Sequence, residues 1–278
     1  MPHSYGVMQG RLSPPEDGRF QSFPRAGWRD EFAKAKAAGF SYIEWIHDDF
    51  DKGANPIFSE DGLRELDALK QEYSISTPAL CGDWFMEHPL IRCTSAERQH
   101  REQHLHAILP VAKRIGANRI VLPFVDNAKI TTEAEKIIVL DILKHALPVA
   151  ESCGVELHLE ADFNPADFKA FLARIQHPML KVNWDSGNSS GLGYVATEEF
   201  AAYGDRIGSV HIKDRFRKPE GGIETRPVGT GSADFDDVFK AIFSAGYDDG
   251  VTLQVARGEP GDEVNFLRGQ LDFVQRYW

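Results

Sequence analysis

Eight short apolar runs alternate with helix-like segments from one end of the chain to the other, and few folds accept that pattern. The runs are Tyr5–Gln9, Tyr42–Ile46, Ile75–Leu80, Arg119–Phe124, Val155–Ala161, Leu180–Trp184, Ile207–Ile212 and Val251–Val255. Near-continuous apolar strands are buried on both faces, which is the signature of a parallel sheet covered by helices. The intervening segments carry helix punctuation. Gly39, Gly116, Gly154 and Gly246 each follow a helix pattern and precede a strand, where glycine adopts a left-handed C-terminal cap at no steric cost. Ser59 and Thr132 read as N-caps, and Asp234, with Asp236 and Asp237 behind it, suits the positive end of a helix dipole. Eight strands, each followed by a helix, predict a single (β/α)8 TIM barrel over residues 1–278, and 278 residues suit that count. The sixth helix, around Val195–Tyr203, is short. The stretch from Asp214 to Ala233 reads as a loop over the barrel mouth.

Four of the runs end in a polar group. Glu160 closes VELHLE, Asp185 closes LKVNWD, His211 lies in GSVHIKD and Gln254 in GVTLQVA. In a barrel these are consecutive strands five to eight, so the four side chains share one arc of the C-terminal mouth, where such barrels place their active sites. Two carboxylates, an imidazole and an amide oxygen form a donor set for one divalent ion. Mn2+ is foremost, with Co2+, Mg2+ or Zn2+ as alternatives.

Composition narrows the partners. The formal net charge is −11 and no Lys/Arg cluster is present, which argues against nucleic acid. Three scattered cysteines, Cys81, Cys93 and Cys153, read as reduced thiols. The opening MPHSYGVMQGR lacks the layout of a secretory signal, and no apolar run approaches the ~20 residues of a membrane span. The expectation is a cytoplasmic protein acting on a small molecule. Self-association into a homo-oligomer stays open.

Motifs along nearly the whole chain resemble one family. GVMQGRLSP, AGFSYIEW, HLEAD, NWDSGN, VHIKDR and RPVGTGSADF occur in the order and spacing of xylose-isomerase-like barrels, within the sugar phosphate isomerase/epimerase group. The layout is most similar to ketopentulose-5-phosphate 3-epimerases and hexulose-6-phosphate isomerases. The resemblance implies a ketose or ketose phosphate as substrate and enediolate chemistry. It implies one divalent ion held at Glu160, Asp185, His211 and the strand-eight position. It also implies a catalytic pair of glutamates, which falls on Glu160 and Gln254. Here the chain departs from the pattern, because an amide cannot shuttle a proton near neutral pH. Glu160 remains the expected base. A second proton would have to come from Glu44, His88, Asp83 or a metal-held water.

Glu44, His88, Asn188, Arg217 and Arg257 are the candidate substrate contacts. Glu44 and Asn188 follow the family's positions, His88 lies in the loop after strand three, and Arg217 and Arg257 are cations near the mouth. Gln9 and Arg11 close strand one, and Lys213 shares the face of His211. Gly229 and Gly231 form a tight turn, with phosphate binding by their amides the lesser reading. His100, His104 and His106 read as surface residues. Two other functions fit the same residues: a dehydratase of an inosose-like or dehydroshikimate-like keto-polyol, which needs one strong base, and a non-catalytic sugar-binding barrel.

Overall fold

The computed structural model describes residues 3–278. Eight parallel strands close into a barrel: β1 (Tyr5–Met8), β2 (Tyr42–Ile46), β3 (Ala79–Cys81), β4 (Arg119–Phe124), β5 (Glu156–Ala161), β6 (Leu180–Asp185), β7 (Ile207–Ile212) and β10 (Val251–Leu253). Each strand pairs with its sequence neighbours, and β10 closes the ring against β1. β2, β3, β4 and β10 are buried at every position. That is why they read as unbroken apolar runs rather than as alternating ones.

The expected helix punctuation is present. Gly39 and Gly154 end their helices at φ 99° and 66°, and their amides donate to carbonyls of the last turn. The Ser59 side chain accepts from the Gly62 amide, and that of Asp234 from the Asp237 amide. Thr132 forms a reciprocal capping box with Glu135, so two otherwise orphaned amides are satisfied. No helix among the described residues is long and apolar enough to cross a membrane.

Three local readings change. β3 begins at Ala79 rather than at Ile75. Pro78 has no N–H to give to a ladder, and the Thr77 hydroxyl donates to the carbonyl of Ile115, so the stretch before Ala79 keeps only an isolated bridge, Tyr42 to Ser76. The segment after Asp185 is a helix, Ser186–Leu192, although its serines and glycines have poor helix propensity. Asp185 starts it by accepting from the Asn188 amide at 2.8 Å. Third, the stretch after β7 contains an antiparallel hairpin, β8 (Asp214–Arg217) and β9 (Ile223–Arg226).

Asp214 anchors that hairpin and the turn behind it. It is fully buried and accepts from the amides of Gly229 at 3.0 Å, Gly231 at 2.7 Å and Ala233 at 3.1 Å. The glycine amides of this turn are therefore committed to a carboxylate of the chain itself. Asp214→Ala orphans all three donors, and should lower the unfolding free energy by about 3 kcal/mol in a urea titration. A loss below about 0.5 kcal/mol, the range of neutral surface changes, would mean that the turn holds itself.

Candidate active site

Parallel registry brings the strand ends to one level. Asp185 pairs with His211 across β6 and β7, and Thr252 of β10 pairs with His211 on its other side. Glu160 closes β5. Ligand atoms of Glu160, Asp185 and His211 all lie within 4.8 Å of one another, and among the described residues this is the one such cluster of three or more His, Cys, Asp or Glu.

The orientation of His211 is fixed from below. Its Nε2 lies 3.0 and 3.1 Å from the two carboxylate oxygens of Glu44, and Glu44 accepts as well from the Thr252 hydroxyl at 2.9 Å. Both His211 and Glu44 are 0% exposed. A carboxylate accepts only, so Nε2 carries the proton and Nδ1 is turned toward Glu160 and Asp185, at 3.6 and 3.9 Å. This is the arrangement that prepares an imidazole nitrogen to ligate a metal.

The carboxylates are positioned as firmly. Glu160 accepts from Asn183 Nδ2 at 2.9 Å and from Asn188 Nδ2. Asp185 spends Oδ1 on the helix amide, while its Oδ2 is buried without a hydrogen-bond partner. Burial, reinforced by the nearby Asp185 charge, pushes the Glu160 carboxyl up to about 7. For His211 burial works to lower the pKa, but Glu44, then Glu160 and Asp185, outweigh it and raise the imidazole to about 9. Burial likewise works to raise Glu44, and the His211 charge holds it below its ordinary value. An imidazolium thus supplies part of the positive charge that these acids require. Two carboxylates, one of them with an orphaned oxygen, and an inward imidazole nitrogen whose proton a dication would displace fit one divalent cation.

Gln254 was expected among the ligands, and its oxygen is engaged elsewhere. Oε1 accepts from Lys213 Nζ at 2.9 Å, and Nε2 donates to Gln21 Oε1 at 3.1 Å. Lys213 does face the site, 3.7 Å from Asp185 Oδ2. Above the cluster opens a cavity of about 240 Å3, whose walls include Glu160, Asn188, Lys213 and Gln254.

The five expected substrate contacts separate. Asn188 lines the cavity. Glu44 does not reach it: the carboxylate expected to contact substrate is the floor under His211. His88 lies outside its walls, stacked on Trp84 with centroids 4.1 Å apart and 3.1 Å from Asp49 Oδ2. Arg217 is exposed and borders a separate cavity of about 330 Å3. Arg257 is consumed by backbone, donating to the carbonyls of Gly10, Ser13 and Phe20. Gln9 and Arg11 are structural too. Gln9 Oε1 accepts from the Ile46 amide, and buried Arg11 donates to Val255 O, Phe20 O and Gln21 Oε1. His104 is half-buried, 2.7 Å from His47 and stacked on Trp84. Arg19, Gln21, Phe50 and Arg215 are cavity residues that sequence reading passed over. They come from the loops after β1 and β2 and from the hairpin, where no periodicity marks direction.

With this geometry in view, comparison with known proteins is decisive at the level of family. Residues 32–270 match the profile of the xylose isomerase-like TIM barrel family. The chain belongs to this family. A putative L-ribulose-5-phosphate 3-epimerase, SgbU, from Escherichia coli K12 is 23% identical over 230 residues, covering 79% of this chain and 80% of that protein. Among solved structures, the IOLI protein with a binding zinc atom superposes with a TM-score of 0.79 at 19% identity, covering 99% of each chain. A D-allulose 3-epimerase from Methylomonas sp., in complex with D-allulose, gives 0.75 at 18% identity, covering 99% of this chain and 97% of that one. Family and named relatives together make the chain an enzyme of the isomerase and epimerase kind.

The floor pair can be tested directly. In metal-free protein His211 should titrate near 9 by NMR. Glu44→Gln removes the largest influence raising it, so the value should fall toward the ordinary imidazole pKa of about 6.5. A His211 pKa that stays near 9 in the variant would mean that Glu160 and Asp185 alone hold the charge.

Proposed function

We propose that this enzyme is a divalent-metal-dependent isomerase/epimerase that acts on a ketose or ketose phosphate through an enediolate. The observation that carries the reading is the convergence of Glu160, Asp185 and inward-facing His211 Nδ1 around an orphaned Asp185 oxygen. The relatives named as 3-epimerases support the same chemistry. Glu160, Asp185 and His211 would hold the ion. When bound, it supplies positive charge beside the ketose oxygens, where negative charge develops as the C–H bond breaks.

The residues of the chain do the rest. Glu160 takes the proton from the carbon next to the carbonyl. Its carboxyl group is held by Asn183 and Asn188, so its approach is fixed before substrate arrives. Asn188, on the cavity wall, also has a buried oxygen without a partner, free to accept from a sugar hydroxyl. Lys213 keeps a cation beside Asp185, and Glu44 keeps the His211 tautomer. Gln254 acts as a neutral hydrogen-bonding group and moves no proton.

Two measurements test this. Asp185→Asn should weaken Mn2+ binding by more than the ~100-fold typical of losing an outer-shell partner. Metal retained at full stoichiometry and affinity would remove Asp185 from the ligand set. In D2O, the Mn2+-loaded enzyme should place deuterium on the carbon beside the carbonyl of a ketose or ketose phosphate. Glu160→Gln should abolish that exchange for the epimer whose C–H points at Glu160. A loaded wild type that exchanges no ketose, phosphorylated or free, would contradict the assignment.

A further inference from the structure

Inverting a carbon by removing and returning a proton needs two groups. A base stands on one face and an acid on the other. Glu160 supplies the base in the reading above, on which this inference rests. The residue at the end of β10 is an amide, so the acid must be sought elsewhere on the cavity wall.

The hydrogen bonds around Gln254 show why an acid does not stand there. Lys213 and Arg11 only donate. Lys213 therefore requires the oxygen of Gln254 toward itself, at 2.9 Å, and Arg11 requires the oxygen of Gln21, at 2.8 Å. The Gln254 amide nitrogen then donates to Gln21 Oε1 at 3.1 Å, and the Gln21 amide nitrogen donates to Asp83 Oδ2 at 2.7 Å. Both amides are oriented by their neighbours, and the chain runs one way, from Lys213 to Asp83. A glutamate at 254 would set an acceptor against the Gln21 oxygen. Turning Gln21 over would then set its oxygen against Asp83 and its nitrogen against Arg11. Position 254 is wired for an amide, and the carboxyl group lies at the far end of the wire.

The other acids of the wall are poorer choices. Asp48 is tied to two fixed backbone amides, Phe23 at 2.7 Å and Phe50 at 3.0 Å, whereas Oδ1 of Asp83 meets only a thiol, a weak donor that can rotate away. Glu87 and Asp126 are exposed. Asp83 is half-buried and lines the same cavity as Glu160, from the end of β3 rather than of β5. Cys81 Sγ donates to its Oδ1 at 3.2 Å. Burial raises its carboxyl above the ordinary range, against the pull of Gln21 and Cys81, so it carries a proton to higher pH than a surface aspartate.

We propose that Asp83 is a catalytic residue, the acid that returns the proton on the face away from Glu160. Glu160 takes the proton, and the C–H electron pair becomes the C=C bond of the enediolate as the carbonyl pair moves to oxygen. The carbonyl then re-forms, and the C=C pair takes the proton from the Asp83 O–H. Glu160 ends protonated and Asp83 ionised, and both reset through solvent. With the opposite epimer the roles reverse.

The test is Asp83→Asn, assayed in D2O with the Mn2+-loaded enzyme and both epimers of a ketose or ketose phosphate that the wild type turns over. The expected result is retained deuterium exchange in the epimer whose C–H faces Glu160, with epimer formation at least ~100-fold slower. Exchange in the other epimer, which needs Asp83 as base, should fall with it. Retained exchange also reports a folded, loaded site. Gln21→Ala breaks the link to Gln254 but leaves the Asp83 carboxyl, and should still form the epimer. The proposal is overturned if Asp83→Asn epimerises like wild type, if it loses exchange of both epimers, or if Gln21→Ala loses epimerisation as completely as Asp83→Asn. A wild type that exchanges no ketose overturns the functional reading itself, and this assignment with it.

Discussion

The hydrogen bond from His211 to Glu44 governs the site. Glu44 lies on β2 and His211 on β7, three strands apart around the barrel ring, and they meet because the closed sheet turns both side chains into its interior. Ionised groups are rarely buried without partners, since the cost of desolvation is large. Here three carboxylates share a buried region with one imidazole and one lysine. The Glu44 contact fixes which histidine nitrogen holds a proton, and so aims the other at Glu160 and Asp185. Without it the two upper acids would face a ring free to turn over.

A second set of hydrogen bonds organises the opposite wall. Arg11 is buried and all three of its contacts lie in the β1 loop or just beyond β10. Arg257 clamps the same loop through three carbonyls, and Glu31 accepts from the amides of Gly10 and Leu12. The loop is therefore rigid where it presents Gln21 to Gln254 and Asp83. Residues that look like anion binders on charge alone serve as braces, and their rigidity holds the cavity wall. Electrostatic catalysis depends on such preorganisation, because a group already in place costs no reorganisation when charge develops.

The barrel was legible because its strands are buried on both faces and its helices are capped by residues with a mechanical reason to be there. The convergence of Glu160, Asp185 and His211 was legible for a related reason: a strand end has a fixed place in a barrel, so the three were located as soon as the strands were. What escaped was set by contacts between distant segments. Gln254 sits at the expected height, yet the destination of its oxygen depends on Lys213, and that of its nitrogen on a loop residue 233 positions away. Glu44 was expected to contact substrate and lies below the cavity, since sequence does not say that a histidine from another strand covers it. The helix after Asp185 and the hairpin after Lys213 violate local propensity. The helix is started by Asp185 accepting a backbone amide, and the turn behind the hairpin is held by Asp214 accepting three. His104 was read as a surface residue because its partners His47 and Trp84 come from other elements.

The central claim is that one divalent ion lies between Glu160, Asp185 and Nδ1 of His211, with Gln254 kept out of its shell by Lys213. Anomalous diffraction from a crystal of the Mn2+-loaded protein tests it most directly. The account predicts a single strong peak within coordinating distance of both carboxylates and of Nδ1, with Nε2 still on Glu44 and the Gln254 oxygen still on Lys213. A peak ligated by the Gln254 oxygen, or by His211 through Nε2, would contradict it, as would full occupancy at any other place in the barrel.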